Sequence, residues 1–87
     1  PAYAYEVAVI IQDGLRRMYV ENENVYYYIT LMNENYHQPA MPQDAEAGIL
    51  KGMYLFQKTN QPRAQLLGSG TILREVIQAA EWLAKEY

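Results

Sequence analysis

Apolar residues recur at helical spacing near both ends of the chain and run almost unbroken through its middle. In YAYEVAVIIQDGLRRMY, Val7, Ile10, Ile11, Leu15 and Met18 follow the i, i+3, i+4 rhythm of a core-facing stripe, which predicts a helix over residues 4–19. Gly14 falls inside it, and glycine there costs about 1 kcal/mol relative to alanine, so another element is expected to pack closely against it. In TILREVIQAAEWLAKEY, residues 71–87, one stripe holds Ile72, Val76, Ile77, Ala80, Leu83 and Ala84, with Arg74, Glu75, Gln78, Glu81 and Lys85 outside it. This predicts the second long helix.

Between them, ENEN reads as a polar turn, and VYYYITL (25–31) is β-branched and aromatic with almost no polar alternation. That composition predicts a strand covered on both faces, in a parallel or mixed sheet. Pro39 and Pro42 block ladder and helix hydrogen bonds, leaving NENYHQPAMP (33–42) as a loop. Asp44 is expected to cap a short helix, AEAGILKG, with Ala45, Ile49 and Met53 facing inward. MYLFQKT (53–59) and AQLLGSG (64–70) read as two further strands around the turn NQPR. The order helix, strand, helix, strand, strand, helix predicts an α/β layer structure, and the shift near residues 60–63 is the plausible domain boundary.

Composition sharpens this picture. A chain of 87 residues makes at most one small domain and buries only about 60–65% of its unfolded surface. With 51% hydrophobic residues and nine tyrosines, it carries more apolar surface than so small a domain hides, so a partner chain or neighbouring domain is expected to cover part of it. Seven basic against ten acidic residues, a net charge of −3 and no basic cluster argue against nucleic acid or an anionic membrane as partner. The absence of cysteine excludes disulfides and thiolate metal sites, and a single histidine without paired acids argues against an autonomous metal site. No apolar run approaches the roughly 18–20 residues of a membrane span, and PAYAYEVAVI lacks the basic start of a signal peptide. A soluble chain, compatible with the cytoplasm and opening as if cut from something longer, is expected.

Three features could carry chemistry. LLGSGT sits where a strand is expected to feed a helix, a place for an anion, yet it lacks a P-loop lysine and a third glycine. The plainer reading is a tight turn in which Ser69 or Thr71 caps the helix. The tyrosines at 26–28 must alternate between faces of their strand, so they pack a core or place one ring near a ligand, but form no stacking platform. His37, the sole histidine, lies in a loop beyond a strand end, where ligands of α/β sheets bind. A carboxylate such as Glu34 could fix its tautomer. From the residues alone, the plainer reading of a lone loop histidine is an idle, solvated ring.

Taken in order, YAYEVAVIIQDGLRRMY, ENVYYYITLMNENYHQPAMP, GILKGMYLF and QLLGSGTILREVIQAAEWLAKEY resemble the homodimeric bacterial type of pyruvate dehydrogenase over essentially the whole chain. That resemblance implies a transketolase-like, thiamine-diphosphate- and Mg²⁺-dependent parent several times longer, cytoplasmic and homodimeric. It implies that residues 1–60 end the pyrimidine-binding middle domain and 61–87 open the C-terminal domain. It assigns His37 to the active-site channel, where substrate and lipoyl group are handled, with Glu34 as a hydrogen-bonding partner; Tyr28 is the tyrosine chosen to approach the cofactor's pyrimidine. The implied reaction is oxidative decarboxylation of pyruvate and acetyl transfer to lipoyl groups of the dihydrolipoyl acyltransferase. Opening the lipoyl disulfide releases a thiolate that needs a proton, and positioned acid–base help contributes about 10²–10⁴-fold. The family's cofactor-activating glutamate and magnesium ligands have no counterpart here, so the segment alone is expected to bind cofactor weakly and to be inactive. A rival of another class is a small non-catalytic interaction module that uses its tyrosine-rich surface.

Overall fold

The computed structural model describes residues 1–86. Helix α1 (Ala4–Leu15) runs into a wider π-helical turn, Arg16–Val20, so the apolar stripe of the first stretch sits on helix as its spacing predicts. The wide turn brings Glu21 to Arg16 at 2.6 Å and Glu23 to Arg17 at 3.1 Å, and Asn22 leaves it with φ 54°. Asparagine tolerates that left-handed conformation better than most residues.

Helix α2 (Glu46–Lys51) is the short helix expected in AEAGILKG. Ala45 and Ile49 are buried against α1, whereas Met53 is exposed. Asp44 makes no cap: its backbone is at φ 62°, and Ala45 occupies the N-cap without a side-chain hydrogen bond. The far end closes on Gly52, at φ 97°, whose N–H donates to the Ile49 carbonyl while that of Met53 donates to Gly48. These crossed bonds satisfy carbonyls that the helix leaves over, and the positive φ is why glycine stands there.

Helix α3 (Leu73–Glu86) follows a single 3₁₀ turn, Gly70–Ile72. Ser69 precedes that turn without capping it through its side chain. The last residue of the predicted helix, Tyr87, lies outside the described residues. None of the stripe residues is buried; Val76, Ile77 and Ala80 are half-buried, and Ile72 is exposed.

The predicted α/β order is overturned. Among the described residues there is no strand and no ladder hydrogen bond, and three helices with their flanking turns make up the regular structure. Residues 25–30 and 53–56 still alternate in exposure: Val25, Tyr27 and Ile29 turn inward while Tyr26 and Tyr28 face out, and Tyr54 and Phe56 turn inward while Met53 and Leu55 face out. The period-2 pattern of extended chain is present; a sheet also requires a neighbouring chain at hydrogen-bonding distance, and none lies there.

What ties α1 to the 33–42 loop and to the segment after α2 is a patch of rings at the start of α1. Tyr3 lies 5.6 Å from both Tyr5 and Phe56 and 6.0 Å from Tyr36, and Tyr54 meets Tyr5 and Phe56 at 6.4 Å. These centroid spacings fall in the favourable range for aromatic pairs. Beyond this patch the chain is open. It exposes 7531 Å², against about 5300 Å² for a compact monomer of its mass, and its radius of gyration is 15.3 Å, against about 12 Å. The surplus apolar surface expected from composition is therefore real, with Tyr26, Leu31, Met32, Leu67 and Trp82 all outside.

Gly14 is the close approach its position predicts. A Cβ there would stand 3.1 Å from Cε1 of Tyr27, and the ring is held by the Arg17 guanidinium, which donates to its hydroxyl at 3.0 Å. Gly14→Ala gains helix propensity while crowding the ring, and amide exchange in α1 is expected to stay within about threefold of the unchanged chain. Gly14→Val displaces Tyr27 and is expected to speed that exchange by about tenfold or more, the equivalent of 1–3 kcal/mol of overpacking. Unchanged exchange in the valine variant would show that the Tyr27 contact does not constrain the helix.

Candidate functional site

The loop 33–42 is held by alternate residues. Tyr36 donates its hydroxyl hydrogen bond to the Ala2 carbonyl. Gln38 accepts from the Ala4 amide through Oε1 at 2.9 Å, satisfying a donor at the first turn of α1 that has no partner within the helix. Glu34 is ion-paired with Arg74 of α3 at 2.5 Å, and the Arg74 guanidinium lies 4.5 Å above the ring of Tyr36. In extended chain, residues two apart share a side. Glu34, Tyr36 and Gln38 accordingly line one cleft, beside Ala2, Leu31 and Met32.

His37 falls between them and lines a second, smaller cleft with Pro39, Phe56, Arg74 and Ile77. Its ring is exposed and makes no hydrogen bond among the described residues. The carboxylate that sequence offered it, Glu34, is engaged by Arg74 instead. Tyr28 lines neither cleft and is 87% exposed. Glu34 and His37 therefore share one anchored loop but line different clefts, with no hydrogen bond between them among the described residues, and Tyr28 lies apart from both clefts.

A second cluster escaped the sequence. Glu6 is buried, accepting from the Ala2 amide at 2.8 Å and from the Tyr54 hydroxyl at 2.7 Å. Tyr54 in turn shares a 2.5 Å hydrogen bond with Tyr5. Burial, then the hydrogen bonds to Tyr5 and Glu6, push the Tyr54 phenol far above its ordinary value, and burial raises those of Tyr3 and Tyr5. The available signal was positional: with Tyr3 at the N-cap, Glu6 is the third helical residue, where a glutamate reaches back to amides before the helix. Arg74 had no such signal, since nothing in the α3 pattern separates it from the other outward charges.

No three His, Cys, Asp or Glu side chains converge as metal ligands among the described residues, and neither cleft offers a cradle of donors for a diphosphate. The residues present therefore do not fit a Mg²⁺-diphosphate group. No helix among the described residues is long and apolar enough to cross a membrane.

Residues 1–39 match the family model of the pyruvate dehydrogenase E1 component middle domain. Beyond that stretch the likeness continues to the end of the chain, which is similar along its whole length to proteins named pyruvate dehydrogenase E1 component. The identity is 64% over 90 residues for that of Escherichia coli (strain K12), 60% over 91 residues for that of Cupriavidus necator and 53% over 92 residues for that of Haemophilus influenzae. All of this chain is covered in each alignment but only 10% of each relative, so the chain corresponds to one segment, about a tenth of their length. The stretches that carried the family resemblance thus lie within a chain that is similar, along its whole length, to one segment of proteins named pyruvate dehydrogenase E1 component. No solved structure matches the chain.

The raised phenols give a pH dependence. Unfolded tyrosine ionises near pH 10, and a phenol that keeps its proton longer when folded stabilises fully below that pH and loses this contribution as pH rises through the folded value. Thermal stability is expected to fall from about pH 10 upward, and near-ultraviolet titration of tyrosinate should show late-ionising phenols. Tyr54→Phe should remove one of them; a titration identical to that of the unchanged chain would refute the assignment.

Proposed function

We propose that the chain is a segment of a homodimeric pyruvate dehydrogenase E1 component, in which residues 1–60 end the pyrimidine-binding middle domain and 61–87 open the C-terminal domain. The parent decarboxylates pyruvate oxidatively in the cytoplasm and passes the acetyl group to lipoyl domains of the dihydrolipoyl acyltransferase. Thiamine diphosphate, held with Mg²⁺ by parts of the parent outside this chain, supplies the electron sink for the decarboxylation. The observation that carries this reading is the 64% identity with the Escherichia coli protein over the full chain.

Within the parent, loop 33–42 lines the active-site channel. His37 gives a ring proton to the thiolate released when the lipoyl disulfide opens, one sulfur taking the acetyl group and the other the proton. Its freedom from any hydrogen bond among the described residues, and its place on an open cleft, support this role. Glu34 borders the channel as a hydrogen-bonding group. Tyr28, with its exposed ring, is the tyrosine that approaches the cofactor's pyrimidine once the rest of the parent covers it.

In the full-length enzyme, His37→Ala is expected to lower acetyl transfer to lipoyl domains about 10²-fold while the protein remains folded and binds cofactor. Unchanged transfer would remove the role. The segment alone is expected to bind thiamine diphosphate weakly or not at all by calorimetry, and a micromolar affinity would contradict the assignment of the cofactor to other parts of the parent.

A further inference from the structure

Arg74 reaches both sides of the loop. From the first turn of α3 its Nη2 meets Glu34 Oε1 at 2.5 Å and its guanidinium lies 4.5 Å above Tyr36. It also lines the cleft of His37, and its Nε donates to the Thr71 carbonyl at 3.4 Å, steadying it on its own turn. The loop's other anchors, Tyr36 to Ala2 and Gln38 to Ala4, both lead to the start of α1. Without Arg74 the loop is tied on that side alone.

We propose that Arg74 is a positioning residue for acetyl transfer, fixing residues 34–36 so that His37 is presented to its cleft; this rests on the role given to His37 above. The ion pair sets the distance from α3 and the stacked guanidinium sets the orientation, a combination that the point charge of lysine cannot reproduce. With the side chains of Arg74 and Glu34 37% and 45% exposed, the pair adds little to stability. Its loss therefore acts on geometry rather than on folding. The contact spans 40 residues of sequence, so the register of α3 is linked to the histidine across the 60–63 junction.

The test uses the full-length enzyme with Arg74→Met, Arg74→Lys and, in parallel, His37→Ala. Two half-reactions are followed: acetylation of the acyltransferase's lipoyl domain, and pyruvate decarboxylation coupled to a small oxidising dye. Arg74→Met is expected to lower kcat for lipoyl-domain acetylation by about 10- to 100-fold, the scale of an ångström-sized misplacement. Dye-coupled decarboxylation and KM for pyruvate should stay within about twofold. Arg74→Lys should lose nearly as much as Arg74→Met, and it carries the test alone should the methionine variant not fold. Acetylation within about twofold of the unchanged enzyme in the Arg74 variants, with His37→Ala impaired, overturns the positioning role. Equal losses in both half-reactions also overturn it, by marking Arg74 as structural. An unimpaired His37→Ala overturns the underlying reading of the site, and the proposal with it.

Discussion

The described structure depends on the carboxylate of Glu6. A buried carboxylate is tolerated only where hydrogen bonds replace its water, and here the replacements come from two directions: the Ala2 amide before α1 and the Tyr54 hydroxyl from a segment nearly fifty residues away. Each is a charge-assisted bond, stronger than a neutral one. They fix where the chain enters α1 and how the extended segment after α2 crosses it. The rings of Tyr3, Tyr5, Tyr36 and Phe56 then close around that crossing. In a chain with so little buried apolar area, a polar pin with fixed directions specifies the arrangement more sharply than packing alone could.

The same end of α1 organises the candidate site. Tyr36 and Gln38 dock there, Glu34 docks on α3, and the intervening histidine is left free. Anchored side chains and the unanchored histidine thus alternate along one extended loop. A free imidazole on a tethered backbone loses little freedom when a substrate arrives. A loop hanging from a single point would lose far more.

Sequence made the helices legible because their signal is internal: the 3.6-residue spacing of Val7, Ile11, Leu15 and Met18, or of Ile72, Val76 and Leu83, needs no neighbour to be read. The strands failed for the opposite reason. Residues 25–30 have the alternation and composition of a strand, but pairing belongs to what lies alongside, which the residues themselves do not encode. Asp44 failed as a cap because a left-handed backbone intervenes before α2. At the site, His37 and Glu34 stood out as the loop's chemically distinctive residues and do share it. Their assumed contact did not form, because Arg74, forty residues on, competes for the carboxylate. Long-range electrostatic partners of this kind leave no local pattern in the chain.

The outward rings of Tyr26 and Tyr28 have a consequence beyond the native assembly. Residues 25–32, VYYYITLM, carry no charge and no proline, are rich in β-branched and aromatic side chains, and hold one aromatic face open to solvent. Those are the attributes of segments that zip together between molecules as cross-β stacks. A surface that covers this face would therefore do more than complete a core: it would act as a guard against self-association. While it stays uncovered, this segment is where the polypeptide is most vulnerable to aggregation.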